Sequence, residues 1–173
     1  MLDIKSAVKI PTVSHGRARS LHVIDIENLL GPARSASEVR HVWNTYANGI
    51  GLGQNDSVIV ASGPTLAKVA AFELSDFNLR YHIRSGIDGA DTALLDQIDL
   101  SHAARRFEWL IVASGDGIFA PLMEQARSNG IKVWHVAGRG RVNKQIRSAC
   151  ALHSRLRLVP LAAAPHGSLG LAA

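Results

Sequence analysis

The chain has 173 residues, of which 47% are hydrophobic and 19% are charged. These proportions are typical of one globular domain and exclude a disordered chain. No apolar run approaches the roughly 18 residues that a membrane-spanning helix needs, and charges interrupt the first 20 residues, so we expect neither membrane association nor a secretory signal. The single cysteine, Cys150, excludes an intramolecular disulfide and favours a reducing, cytoplasmic setting.

The charges are segregated along the chain. Residues 1–124 carry all 14 acidic residues and 11 of the 19 Lys and Arg, whereas residues 125–173 carry eight basic residues and no acidic one. A basic C-terminal third on an acid-bearing body favours a polyanionic partner such as nucleic acid, although the same charges would also serve solubility.

Short apolar runs alternate with helical patterns, which favours βαβ units and an α/β domain with a mainly parallel sheet. In chain order, the predicted elements are a strand over 21–26, a helix capped by Ser35 and Glu38 and ending near Asn48, a strand over 57–61, a helix over 64–73, a strand over 79–83, a helix over 91–105, a strand over 109–113, a helix over 118–128, a strand over 131–136, a helix over 142–152 and an edge strand over 155–159. We predict an N-terminal extension over residues 1–20, one domain over 21–160 and a flexible C-terminal tail over 161–173.

Acidic residues stand where predicted strands end. Asp25 lies near the end of the first strand, Asp116 follows the strand over 109–113, and Asp91 opens a helix after the third strand, with Asp88 just before it. The carboxyl ends of parallel strands meet at one edge of a sheet, where ligands collect. Clustered carboxylates repel one another, and a divalent cation removes that cost. Such an ion can polarise a phosphate oxygen and lower the pKa of a bound water.

Each acid also has a structural interpretation. Asp25 could serve a helix cap or a salt bridge, and Asp116 and Asp91 could cap the helices that follow them. Asp96 and Asp99 are expected on a solvated helix face. Other residues at the same edge could have supporting roles: Asn28 could close the turn after the first strand or support Asp25 by hydrogen bonding, and Ser114 could support the turn before Asp116.

Three blocks of the sequence resemble the NYN domain, a branch of the PIN-like nucleases. They are VIDIENL at 23–29, GADTALLD at 89–96 and LIVASGDGIFAPLMEQARSNGIKVWHV at 110–136. The resemblance implies a three-layer α/β/α sandwich that hydrolyses RNA phosphodiester bonds with Mg²⁺ or Mn²⁺, leaving 5′-phosphate and 3′-hydroxyl ends. It carries over four site residues, Asp25, Asn28, Asp91 and Asp116, with the three aspartates as metal ligands. It also allows a homodimer, because PIN-like domains often pair.

The sequence departs from the family pattern at Ile118, where the third block usually carries a second acid. An isoleucine has no metal ligand, so we expect weakened metal affinity and activity unless Glu27, Asp88 or Asp96 substitutes. A catalytically degenerate module that binds RNA or a protein without cleavage is therefore the alternative. A phosphotransfer enzyme is less well supported, because Glu27 and not a second aspartate stands two residues after Asp25.

A basic segment follows the strand that ends near residue 136, and hence lies at the same edge as the acids. Its charged residues are Arg139, Arg141, Lys144 and Arg147. We predict that they draw RNA phosphates towards the metal, with a solvated helix face as the other interpretation of Lys144 and Arg147.

Overall fold

The computed structural model describes residues 18–32 and 34–159. Most of the predicted extension, residues 1–17, and the whole predicted tail lie outside these residues. The described chain forms a six-stranded sheet whose strands are all parallel, in the order β3-β2-β1-β4-β5-β6. The strands are β1 (Ser20–Asp25), β2 (Ser57–Ser62), β3 (Arg80–Ile83), β4 (Trp109–Ala113), β5 (Lys132–Ala137) and β6 (Leu152–Arg155).

Helices cover both faces of the sheet, which confirms the predicted α/β/α sandwich. One face carries α1 (Ile26–Leu30), α2 (Ala36–Ile50) and α3 (Pro64–Glu73), and the other carries α4 (Gly89–Leu95), α5 (Leu100–Arg106), α6 (Ala120–Ser128) and α7 (Lys144–Ala149). A short 3₁₀ helix, Gly117–Phe119, precedes α6.

Alternation along each strand divides the core between the two faces. In β1, Leu21 and Val23 belong to the core beneath α4–α7, whereas Ile24 belongs to the core beneath α1–α3. Because successive side chains of a strand point to opposite faces, a central strand that is covered on both sides is mostly apolar. The run Trp109–Ala113, which forms β4, meets that requirement.

Several predicted boundaries were wrong. The single helix expected over 91–105 is two helices, because Asp99 adopts an extended conformation and its side chain accepts a hydrogen bond from the backbone N–H of His102, which caps α5. The helix expected over 142–152 is shortened to Lys144–Ala149, capped by Asn143, and the edge strand lies at Leu152–Arg155 instead of 155–159.

Within the described ranges, every helix is too short or too polar to cross a bilayer.

The strand order places a topological switch point between β1 and β4. The chain proceeds from β1 outwards to β2 and β3, and then returns to the other side of β1 to build β4, β5 and β6. In open parallel sheets the connections on either side of such a point diverge and leave a crevice at the carboxyl ends of the two strands. Asp25 ends β1, and Asp116 follows β4, so both acids border this crevice.

Candidate metal centre at the carboxyl edge of the sheet

Asp25 is anchored where β1 passes into α1. Its Oδ1 accepts hydrogen bonds from the backbone N–H groups of Glu27 at 3.0 Å and Asn28 at 3.2 Å, which caps the first turn of α1. Its Oδ2 accepts a bond from the Ser114 hydroxyl at 3.2 Å. Burial raises the pKa of the carboxyl to about 6, against the opposing effect of these hydrogen bonds. The cap and the site function predicted for Asp25 are therefore compatible.

Ser114 links the turn after β4 to the end of β1. Its hydroxyl donates to Asp25 and accepts from the backbone N–H of Asp116 at 3.2 Å. Asp116 uses its own Oδ1 to accept from the N–H of Ile118, which begins the 3₁₀ helix, while the side chain stays exposed. Ser114 thus supports the turn, as the sequence suggests, and holds both acids in one local framework.

Asp91 lies buried in the first turn of α4, with only 8% of its surface exposed. Its Oδ1 has no hydrogen-bond partner among the described residues. The pKa of this carboxyl is raised to about 7, first by burial and then by the charges of four acids: Asp25, Asp116, Asp88 and Glu27. A buried carboxylate among other acids is costly in its charged form, and a bound cation would offset that cost.

Asp88 occupies the N-cap position of α4 without capping it. Its backbone is left-handed, with φ 53° and ψ 23°, and it is the only non-glycine residue of the described chain with a positive φ. An N-cap residue usually has extended backbone and accepts a bond from its helix, whereas the Asp88 side chain accepts no capping bond. This conformation leaves the carboxylate available to a ligand.

These elements bring three carboxylates together. Asp88, Asp91 and Asp116 each offer an oxygen, and the three atoms lie within 4.8 Å of one another. Asp25 is not a member of this group but lines the same cleft as Asp88 and Asp91. The donor set is all oxygen, and Asp91 supplies a buried atom without a partner, so the residues fit a hard divalent cation such as Mg²⁺ or Mn²⁺.

Glu27, one of the possible substitute acids, also lines the cleft. β1 ends at Asp25, so Glu27 belongs to α1 and does not share a strand face with Asp25. Its Oε1 accepts a hydrogen bond from Arg34 at 3.0 Å. Glu27 therefore adds negative charge to the cleft while being held by a basic partner.

Asp96 and Ile118 both lie outside the group of three carboxylates. Asp96 ends α4 and pairs with Arg84 at 2.7 Å. Ile118 is 36% exposed beside Asp116 and contributes no ligand atom. Of the acids considered as replacements for the missing one, Asp88 is the one whose oxygen lies with Asp91 and Asp116.

The Asn28 side chain does not hydrogen-bond to Asp25; that contact is made by its backbone N–H. Its side-chain Oδ1 is buried without a hydrogen-bond partner among the described residues. A Cβ at Gly140 would lie 2.6 Å from this oxygen, so the amide packs against a position that only glycine fits. The Gly140 N–H also donates to the Asn28 carbonyl at 2.9 Å, and this bond holds the loop between β5 and α7 against α1.

The four predicted RNA-binding residues have different surroundings. Arg139 is half-buried and donates to Glu38 on α2 at 2.7 Å, so its charge is already paired. Arg141, Lys144 and Arg147 are exposed and have no ion pair within the described ranges. The backbone of Arg141 packs directly on Gly115, in the turn after β4 that carries Asp116.

Sequence reasoning missed His135, which is fully buried on β5 and contacts the carbonyl of Ser114. The available signal was a histidine inside the apolar run KVWHVA, because a buried polar side chain needs a partner. Periodicity alone does not identify that partner, which lies 21 residues away in sequence.

Comparisons with known proteins identify a family and a similar fold. The family model described as the NYN domain matches residues 20–156. A solved structure of a protein of unknown function from Vibrio parahaemolyticus RIMD 2210633 is similar with a TM-score of 0.53 and 15% identity, covering 80% of this chain and 92% of that one. At this identity the likeness shows the fold alone. Comparison with curated proteins finds no match.

Proposed function

The chain belongs to the NYN domain family of the PIN-like superfamily, and on this premise we propose that it is a divalent-cation-dependent ribonuclease. The family consists generally of nucleases, and the cluster of acids stands at the crevice where this fold binds ligands. The observation that carries the proposal is the buried, unpartnered oxygen of Asp91 beside Asp88 and Asp116.

Asp88, Asp91 and Asp116 would hold one Mg²⁺ or Mn²⁺, with Asp25 close enough to contribute to the same negative field. Such an ion offsets charge on phosphate oxygens and makes a bound water a better nucleophile. Asp91 must give up its proton to bind, since its pKa is about 7. Ser114 keeps Asp25 and the Asp116 turn in place while this happens.

The exposed basic residues would guide the substrate. Arg141 lies against the turn that carries Asp116, and Lys144 begins α7 a few residues further on. Contacts with phosphates position a strand without reading its sequence, so these residues would bring RNA to the cation with little base preference. We assign Arg139 a structural role, because its guanidinium is already paired with the Glu38 carboxylate.

The test is cleavage of single-stranded RNA in Mn²⁺ by the wild type, Asp25→Asn and Asp116→Asn. Asp76→Asn is the matched control, since Asp76 is exposed and pairs with Arg40. We expect products with 5′-phosphate ends from the wild type and the control, and severe loss from the other two. Unchanged cleavage by both site variants would refute the proposal.

Ile118 favours a second candidate, a module that binds RNA without cutting it. The residue is exposed next to Asp116, where the family usually has an acid. This candidate predicts wild-type protein that binds RNA and releases no product at any Mn²⁺ concentration. The same assay therefore decides between the two, provided that RNA binding is measured in parallel. Homodimerisation and a cytoplasmic location stay predictions from the sequence.

A further inference from the structure

His135 lies behind the turn that carries Asp116, on the strand next to β4. Its Nε2 lies 2.9 Å from the carbonyl oxygen of Ser114, one residue beyond the end of β4. The β4–β5 ladder pairs residues only as far as Val112 with His135. A histidine side chain therefore contacts a buried carbonyl just past the last paired residue of β4. A buried carbonyl that lacks a donor is costly, so this contact stabilises the turn.

A second histidine determines where the protons of His135 lie. His153 is the register partner of His135 on β6, and their Nδ1 atoms are 2.7 Å apart. A carbonyl oxygen only accepts, so the Ser114 contact requires hydrogen on His135 Nε2. Two Nδ1 atoms at this distance share one proton, which His153 must then donate to His135.

The surroundings keep His135 neutral. Burial, followed by the nearby His153, lowers the pKa of His135 to about 4. The hydrogen bond with Ser114 opposes this shift, and the charges of Arg147 on α7 and Arg155 on β6 add to it. Neutral His135 has one bare nitrogen. Because Nε2 donates to the Ser114 carbonyl, that nitrogen is Nδ1, which accepts from His153.

The hydrogen bonds continue from the histidines to the acids. His153 donates to His135, and His135 donates to the Ser114 carbonyl. The hydroxyl of the same serine donates to Asp25 and accepts from the N–H of Asp116. His135 thus helps to orient the peptide group of Ser114. The side chain of the same serine contacts Asp25 and the backbone of Asp116, so the placement of both acids depends on it.

We propose that His135, held in one tautomer by His153, is a positioning residue that fixes the Ser114 turn and so places Asp116 beside Asp88 and Asp91. This inference rests on the proposed metal-dependent function for its meaning, but the hydrogen-bond chain is a property of the protein without metal. When hydrogen bonds that orient metal ligands are removed, the metal affinity of the site commonly falls roughly 10–100-fold.

The matched variants are His135→Leu, which removes the donor, and His135→Gln, whose terminal amide can donate from nearly the same place as Nε2. We expect His135→Leu to speed hydrogen exchange of the Asp116 amide and to raise the Kd for Mn²⁺ by about 10–100-fold in calorimetry. His135→Gln should restore most of both. His102→Leu, an exposed histidine on α5, controls for loss of a histidine elsewhere.

Nitrogen NMR of the wild type supplies a readout that needs no variant. We expect His135 with hydrogen on Nε2 and His153 with hydrogen on Nδ1. The reverse tautomer of His135 would overturn the proposal, as would a folded His135→Leu with wild-type exchange at Asp116, or equal defects in the Leu and Gln variants. Wild-type protein that binds no Mn²⁺ would remove the proposed function, while the exchange and tautomer results would still decide the role of His135.

Discussion

Asp91 carries the clearest electrostatic cost at the level of single residues. Its carboxyl is buried, one oxygen has no hydrogen-bond partner in the described part of the chain, and the charges of four acids raise its pKa. A folded protein retains such a group only at the expense of stability, which is common where a ligand supplies the missing charge. The cost is therefore itself a sign of function.

The first prediction concerns stability and pH. The folded pKa of Asp91, about 7, exceeds the ordinary value of 3.8, so ionisation disfavours the folded state and stability falls as pH rises from about 4 to 7. At pH 7.5 without metal, Asp91→Asn should raise stability by about 1–2 kcal/mol, a few degrees in Tm. At pH 4 the gain should vanish. Thermal unfolding of both proteins at both pH values is the measurement, and an equal Tm difference at the two would contradict it.

Ser114→Ala provides the second prediction. The hydroxyl holds the pKa of Asp25 below the value that burial alone would set, so its removal should raise that pKa above about 6. Carbon NMR titration of the Asp25 carboxyl measures this directly. Ser128→Ala, on the far end of α6, is the control because Ser128 bonds only to Glu124 of its own helix. An unaltered Asp25 titration in Ser114→Ala would show that the hydroxyl does not support this carboxylate.

At the scale of elements, the start of α4 places two acids at the cleft: Asp88 at the N-cap position and Asp91 in the first turn. The left-handed backbone of Asp88 is one that glycine adopts without strain. Asp88→Gly should therefore stabilise the metal-free protein by up to about 1 kcal/mol while weakening Mn²⁺ binding more than about tenfold. Asp88→Asn tolerates the same backbone and removes only the charge. Denaturant unfolding measures the stability, and calorimetry measures the Mn²⁺ affinity. An Asp88→Gly variant that loses both stability and affinity would contradict this prediction.

The loop between β5 and α7 carries two arginines with different expected roles: Arg139 stabilises the fold, and Arg141 binds RNA. Arg139→Ala breaks the pair with Glu38 and should cost about 1 kcal/mol of stability. Arg141→Ala should leave stability unchanged, weaken RNA binding and reduce the salt-dependence slope by about 1. Binding titrations over a range of salt concentrations, together with Tm values, test this. Equal effects of the two variants on RNA binding would contradict the division.

Local sequence signals predicted those elements whose apolar pattern or capping residue is unambiguous. The helix Pro64–Glu73 and the strand Trp109–Ala113 have the predicted bounds. The break at Asp99 was missed because the apolar spacing continues across it. The Arg139–Glu38 pair spans 101 residues, and no local pattern predicts a contact of that range.

At the scale of the whole molecule, topology explains why distant acids meet. Parallel strands end at one edge, which is why the sequence predicted Asp25, Asp91 and Asp116 near one another, and the charges of Asp25 and Asp116 do raise the pKa of Asp91. It did not predict that Asp88 would join Asp91 and Asp116 while Asp25 stays beside them. That distinction depends on the left-handed turn before α4 and on the hydrogen bonds that hold Asp25, which are set only when the layers pack.

The most direct test is a crystal of the wild-type protein soaked in Mn²⁺ and measured at the manganese absorption edge. We expect an anomalous peak bound by oxygens of Asp88, Asp91 and Asp116, and no such peak in Asp91→Asn crystals. A peak elsewhere on the molecule, or none at millimolar Mn²⁺, would contradict it.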